Sequence, residues 1–333
     1  MIGYYVHHQG EGHLHRARRL CHELLQRGHE VTVLSSLADP GSEDDDTRTG
    51  WVQLPRDDDG GARDPGAAGL LHWAPRGHRG FRARQAAISA WIQEAQPDLV
   101  VSDASQEVTA LCRLHGVPVV SVALPGHRAD PAHLLGFGLS ARVVGFWPAE
   151  ADQMLRGLPW ELRERVFPVG ALSWSTPATS CSDPDGLDAV VLGSSRGSAW
   201  DEAQLGAFTA SALPWRLHVV DTDREWSEDP WCLIRSARVV VTHGGQHALA
   251  EVAAARVPAL VVPELRPFEE QVTTAAQLAH GGYPVLCADR LPSSGAADLL
   301  TQVAALDGSR WQRWCDGAAA ARFADLVQDV VAA

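Results

Sequence analysis

The chain has 333 residues, enough for two domains of ordinary size, and its 45% apolar share is that of a globular protein with a real core. A formal net charge of −13 argues against a nucleic-acid partner, and the lack of any lysine excludes both a lysine Schiff base and a Walker-type phosphate loop. Six scattered cysteines without a Cys-x-x-Cys pair, no export signal before the first strand and no apolar run near the roughly 18 residues of a membrane span predict a reduced, cytoplasmic chain, still open to peripheral membrane contact.

Residues 2–6 read as a buried strand, followed by the loop His7-His-Gln-Gly-Glu-Gly12 and a helix from His13 to about residue 27. In that helix Leu14, Ala17, Cys21, Leu24 and Leu25 recur at helical spacing, and Gly28 supplies a stop. Residues 30–35 form the next strand. The result is a βαβ unit with a glycine loop at the carboxyl end of its first strand, where open α/β sheets bind ligands. Gly10-x-Gly12 is not a dinucleotide fingerprint, because His15 stands where a third glycine belongs. The acidic triplets at 44–46 and 57–59 sit among Gly, Ser, Thr and Arg and read as solvated turns rather than a metal-binding Asp-x-Asp.

Between 71 and 84 lie His72, Trp73, Arg76, His78, Arg79, Arg82 and Arg84. Such a segment either meets an anionic acceptor, a diphosphate or a membrane surface, or balances neighbouring aspartates. A helix over 86–93 follows, then a strand over 97–103 that ends in Ser102-Asp103 at its carboxyl tip. A helix at 108–114 and strands at 117–122, 141–146 and 166–169 complete the first half. A Pro-, Ser- and Thr-rich stretch reads as a linker at 169–186.

Alternation restarts with a strand at 189–192, the loop Gly193-Ser-Ser-Arg-Gly197, a helix at 202–212, a strand at 216–220 and a short helix at 232–236. The sharpest stretch comes next, Ala237-Arg-Val-Val-Val-Thr-His-Gly-Gly-Gln-His-Ala-Leu-Ala-Glu251. It is a β-branched strand, a two-glycine turn and the start of a helix, whose N–H groups and positive dipole end suit a phosphate. Glu251 follows His247 by four residues on one helix face, well placed for ribose hydroxyls. A strand at 259–263, a loop at 267–270, a helix at 271–279, a strand at 285–287 and helices at 296–306 and 311–331 close the chain. The expected organisation is α/β, with a domain at 1–168, a linker at 169–186, a second domain at 187–310 and a closing helix at 311–333 that crosses back onto the first domain. Both domains are doubly wound, Rossmann-like layers facing a cleft.

Three segments resemble the GT-B glycosyltransferases, in particular the family 28 and UDP-glycosyltransferase-like enzymes. These are Gly10-x-Gly12-His13-x-x-Arg16, then Thr242-His-Gly-Gly-Gln-His-Ala-x-x-Glu251, and the run from Pro263 through Glu269-Glu270-Gln271 to Ala275-Ala276. The resemblance implies a nucleotide-diphosphate sugar donor, UDP-linked by preference, bound in the second domain. Glu251 would hold the ribose, and Glu270 and Gln271 the sugar hydroxyls. Thr242, His243, Gly244, Gly245 and Gln246 would surround the diphosphate, joined by Gly193, Ser194 and Ser195. Trp226 and Ser227 would face the base, and His13 would be the base that deprotonates a small-molecule or lipid-linked hydroxyl acceptor. Thr274 stands where such enzymes often carry Asn.

The residues themselves suit that chemistry. A histidine opening a helix is disfavoured as imidazolium, and Asp103 at another strand tip is suited to orient it. Helix-start and loop donors can take up the leaving-group charge, so no metal and no organic cofactor is expected. The cluster His7, His8, His13, His15 and His22 lacks a metal-binding arrangement. An inverting transferase is the first reading. A hydrolase with His13 activating water, a nucleotide-sugar 2-epimerase and a non-catalytic sugar-nucleotide sensor are the competitors.

Overall fold

The computed structural model describes residues 1–8, 11–39, 41, 49–58, 61–178, 186, 188–193, 200–220 and 230–333. These divide into two compact units, one of 1–145, 155–169 and 320–333, the other of 146–154 and 170–319.

The first unit runs β1 (Ile2–Val6), α1 (Glu11–Gln26), β2 (Val31–Ser35), β3 (Gly50–Gln53), α2 (Arg79–Ala95), β4 (Leu99–Asp103) and α3 (Gln106–Leu114). It continues through β5 (Val119–Ala123), β6 (Gly126–His127), α4 (Pro131–Leu139), β7 (Arg142–Gly145), β8 (Leu155–Arg156), α5 (Trp160–Arg163) and β9 (Val166–Pro168). The main sheet is parallel, in the order β3-β2-β1-β4-β5-β7-β9. Every residue of β1, β2, β4 and β5 is buried, as a sheet covered on both faces requires. On one face Tyr5, Leu34 and Val100 pack with Ile88 and Ile92 of α2 and Val108 of α3.

The second unit runs β10 (Asp188–Leu192), α6 (Glu202–Ser211), β11 (Arg216–Val220), α7 (Pro230–Ser236), β12 (Val239–Thr242), α8 (Gln246–Ala255) and β13 (Ala259–Val261). It ends with α9 (Glu270–His280), β14 (Val285–Cys287) and α10 (Ala296–Ala304). Its parallel sheet has the order β11-β10-β12-β13-β14.

In each sheet the chain first winds to one side and then returns to wind to the other. That reversal falls between β1 and β4 in the first unit and between β10 and β12 in the second. At such a switch point the loops at the carboxyl ends of two adjacent strands diverge and leave a crevice for a ligand.

Two sequence expectations need correction. The closing helix is not continuous over 311–331: a 3-10 turn ends at Arg313, and α11 (Ala319–Ala332) begins only after a break. Gly317 sits there at φ +89, and Asp316 accepts the Ala318 N–H, a turn that ends one helix and caps the next. α11 groups with the first unit, where Arg27 donates to the Ala321 carbonyl and Arg322 to that of Val169. Asp57 is no solvated turn residue, being 3% exposed and bonded at 2.7 Å to the buried Arg84. The basic stretch accordingly spends two of its arginines on aspartates, Arg84 on Asp57 and Arg76 on Asp64. Residues 44–46 and Asp59 lie outside the described residues. Among the described residues no helix is long and apolar enough to cross a membrane.

Candidate active site

Hydrogen bonding pairs Val6, the last residue of β1, with Asp103, the last of β4. The helix that follows β1 therefore starts beside the Asp103 carboxylate. His13, in the first turn of α1, places Nδ1 2.9 Å from Asp103 Oδ1, while Arg16 Nε donates to Oδ2 at 3.1 Å. Asp103 is fully buried, whereas His13 and Arg16 keep 16% and 11% of their side chains exposed. Burial pushes the Asp103 carboxyl up, but the Arg16 guanidinium and the His13 ring outweigh it and hold the group below the ordinary carboxylate range. Two groups compete for His13 Nδ1, since Arg16 Nη2 also lies 3.4 Å away. The shorter contact to an anionic acceptor decides it: Nδ1 carries the proton, and the ring lone pair sits on Nε2. Arg16 thus does more than cover the helix; through Nε it braces the carboxylate.

The backbone around this constellation is constrained. Ala104, directly after Asp103, has φ +66, a left-handed conformation that costs a non-glycine residue on the order of 1 kcal/mol. It turns the chain sharply into Ser105, whose hydroxyl caps α3 through the Val108 N–H. A Cβ added at Gly12 would meet no atom of the described residues within 4 Å. Gly10 lies outside the described residues.

His7 stacks on His8 with ring centroids 5.0 Å apart, and tilts toward His13 at 5.9 Å. Burial, aided by the neighbouring histidines, pushes His7 down to about 3, so it stays neutral beside His13. Of the five N-terminal histidines, His15 and His22 point to solvent. The one group of potential metal ligands among the described residues is elsewhere: His72, Asp130 and His133. His72 Nε2 and His133 Nδ1 approach the two oxygens of Asp130 at 2.9 and 2.5 Å. Arg128 Nη1 faces His133 Nε2 at 3.3 Å, which puts the lone pair on Nε2 and a proton on Nδ1. With the proton on Nδ1 the ring donates to Asp130, and the trio forms a hydrogen-bonded group. Nothing in the sequence had pointed to His133 or Asp130.

In the second unit Thr242 ends β12, and the following glycine turn leads into α8. Gly244 has φ +86, and a Cβ there would approach Val261 Cγ1 at 3.2 Å. Gly245 is the N-cap of α8 and offers the first turn no side chain, leaving its N–H groups to whatever approaches from outside. Thr242 is fully buried and packs inside the sheet. His243 is only 8% exposed, and both of its ring nitrogens are engaged: Nε2 with the Gly193 carbonyl at 3.3 Å, Nδ1 with Gln271 Nε2 at 3.0 Å. Gln271 Oε1 in turn accepts the Glu264 N–H at 2.8 Å. The chain of donors fixes the Nε2–H tautomer, and burial lowers the ring below its ordinary value, so His243 is neutral. His243 and Gln271 therefore brace the glycine turn against β10 and the loop after β13.

Glu270 opens α9 half-buried, and its carbonyl accepts from the Thr274 hydroxyl. The two residues ahead of it, Phe268 and Glu269, have φ +61 and +59. Two consecutive left-handed non-glycine residues store strain in the loop that presents Glu270. Glu251 sits one turn from the end of α8, its oxygens held by the Ser173 hydroxyl at 3.0 Å and the Trp174 N–H at 2.8 Å. Ser194, Ser195, Trp226 and Ser227 lie outside the described residues.

Comparison with known proteins bears on the two halves of the chain. Residues 12–123 match the model described as Glycosyltransferase Family 4, and residues 230–304 match the Glycosyltransferase family 28 C-terminal domain. No curated protein matches the chain. Among solved structures it is similar to the spinosyn forosaminyltransferase SpnP, with TM-score 0.70 and 17% identity over 100% of this chain and 99% of that one. It is also similar to Phytolacca americana UGT2, complexed with UDP-2-fluoro-glucose and pterostilbene, with TM-score 0.68 and 14% identity over 100% and 99%. A third is the glycosyltransferase VinC in complex with dTDP, with TM-score 0.63 and 16% identity over 99% of both chains.

Proposed function

We propose that the chain is a GT-B glycosyltransferase, a reading its fold and its two family segments support, and that it is an inverting, metal-independent enzyme. It moves a sugar from a nucleotide-diphosphate donor, UDP-linked, to a hydroxyl acceptor. The observation that carries this reading is the His13–Asp103–Arg16 constellation at the switch point of the first unit, with its imidazole lone pair on Nε2.

In the reaction, His13 Nε2 takes the proton of the acceptor hydroxyl as that oxygen bonds to the anomeric carbon. The bond from that carbon to the diphosphate oxygen breaks, and its electron pair leaves with the nucleotide. One displacement inverts the anomeric centre. Asp103 accepts the Nδ1–H throughout and stabilises the imidazolium that forms, while Arg16 keeps the buried carboxylate ionised. Departing charge is taken up by the N–H groups at the start of α8 and by its dipole. Glu251 binds the ribose and Glu270 a hydroxyl of the transferred sugar. His243 and Gln271 hold the turn in shape for the diphosphate, a role their hydrogen bonds support. The UDP-sugar analogue in the Phytolacca relative supports a UDP-linked donor.

A thermal-shift screen of UDP, dTDP and GDP, followed by NMR of the product made from UDP-α-glucose, tests the proposal. Stabilisation by UDP and a β-linked product are expected. An α-linked product, or release of free sugar at the same rate with and without acceptors, would refute transfer with inversion.

A further inference from the structure

Asp103 and the left-handed Ala104 are the two middle residues of a turn that a side chain closes. The buried Ser102 hydroxyl, one residue before the carboxylate, donates to the Ser105 carbonyl, two residues after it, at 2.8 Å. That carbonyl already serves α3 as its N-cap acceptor, taking the Thr109 N–H at 3.2 Å. A second buried hydroxyl, that of Thr109, also donates to it, at 2.9 Å. Ser105 is fixed through its side chain as well, which accepts the Val108 N–H.

The row of hydroxyls continues behind Thr109. Ser121 Oγ in β5 lies 3.0 Å from Thr109 Oγ1 and 2.7 Å from Ser140 Oγ, and Ser140 donates to the Gly136 carbonyl in α4 at 2.8 Å. Thr109 and Ser140 each spend their one proton on a carbonyl, so the single proton of Ser121 serves one of its two contacts or the other. The bonds received by the Ser105 carbonyl do not depend on it. The hold on the turn therefore falls to Ser102 and Thr109. A helical threonine commonly bonds the carbonyl four residues back. The Ser102 bond has no such routine origin, since it starts from a strand and spans the residue that carries the carboxylate.

We propose that Ser102 and Thr109 are positioning residues, whose hydroxyls hold the Asp103–Ala104 turn so that one carboxylate oxygen meets His13 and the other Arg16. The inference rests on the reading of His13 and Asp103 given above. A non-glycine residue keeps a left-handed conformation only where its surroundings over-determine it, and the two hydroxyls supply that constraint. With one of them gone the turn relaxes and the carboxylate shifts against the imidazole. A misplacement of about 1 Å at a reacting group costs on the order of 10²-fold in rate.

Steady-state UDP release from UDP-glucose and calorimetric UDP binding test this in Ser102→Ala, Thr109→Val and Thr109→Ser, each made also in the Asp103→Asn background. Ser102→Ala and Thr109→Val each lower kcat about tenfold or more, with KM and the UDP Kd within about twofold of wild type. Thr109→Ser, which keeps the hydroxyl and loses a methyl group, recovers most of kcat even though it melts earlier. In the Asp103→Asn background none of the three lowers kcat further, because no carboxylate is left to position. Wild-type kcat in Ser102→Ala, an equal loss with and without the Asp103 carboxylate, or a Thr109→Ser as slow as Thr109→Val would overturn the positioning role. In each of those cases a slow Asp103→Asn leaves the reading of His13 and Asp103 standing. A wild-type rate in Asp103→Asn alone would instead sink that reading. If Thr109→Val does not fold, Ser102→Ala, which removes a single oxygen, decides by the same comparisons.

Discussion

Replacing Asp103 by Asn changes one atom in a fully buried group. The carboxylate now accepts from His13 Nδ1 at 2.9 Å and from Arg16 Nε at 3.1 Å. An amide has one accepting oxygen, so it cannot serve both. With the oxygen toward Arg16, the amide N–H faces His13 Nδ1 and draws the lone pair there, which moves the ring proton to Nε2 and removes the base. With the oxygen toward His13, two N–H groups collide at Arg16. The corresponding change in serine-protease triads lowers kcat about 10⁴-fold, and general-base contributions run about 10²–10⁴. We expect Asp103→Asn to lower the rate of UDP release from UDP-glucose by about 10²–10⁴, or about 3–5 kcal/mol of barrier. Arg16 loses its buried counter-ion, so stability in urea should fall by about 3 kcal/mol. UDP affinity should stay within about twofold, since the proposed nucleotide contacts come from the other unit. A folded Asp103→Asn protein with kcat within about threefold of wild type would refute the tautomer argument.

Glu251→Ala should raise the UDP Kd about tenfold or more at unchanged kcat, as loss of hydrogen bonds to a charged group predicts; unchanged calorimetric affinity would count against it. Gly244→Ala forces a Cβ onto a backbone at φ +86 and toward Val261, and should cost about 1–2 kcal/mol of stability and weaken UDP; a neutral melt would show the turn is slack. Burial holds His133 down to about 4, so the unfolded chain binds more protons than the folded one between roughly 6.5 and 4. Stability is therefore complete above the unfolded value and declines as pH falls through that window, by about 3 kcal/mol. Urea melts of His133→Gln should show a correspondingly flatter profile, and parallel profiles would contradict the assignment.

Much of this was readable in the sequence because the chemistry sits at strand tips. Val-rich runs mark the buried strands, and Asp103 ends one of them just where a parallel neighbour brings the α1 start alongside. The glycine turn was legible for the same reason, since only a backbone with φ near +86 demands Gly244. What stayed hidden depends on contacts between distant segments. α4 has an apolar sequence without a helical stripe, Pro-Ala-His-Leu-Leu-Gly-Phe-Gly-Leu, so periodicity gave no signal. Asp57 looked solvated because its partner, Arg84, lies 27 residues away. The hydrogen bond between His243 and Gln271, and the grip of Ser173 and Trp174 on Glu251 across almost 80 residues, have no local pattern to betray them. The break at Gly317 could have been found, as Asp-Gly is a turn signal inside the apolar run.

The most direct test of the whole account is a pair of numbers from one preparation of His13→Ala: donor turnover with UDP-glucose, and UDP affinity by calorimetry. The account predicts turnover at least about 10²-fold below wild type with the nucleotide Kd unchanged. Wild-type turnover in that variant would contradict it.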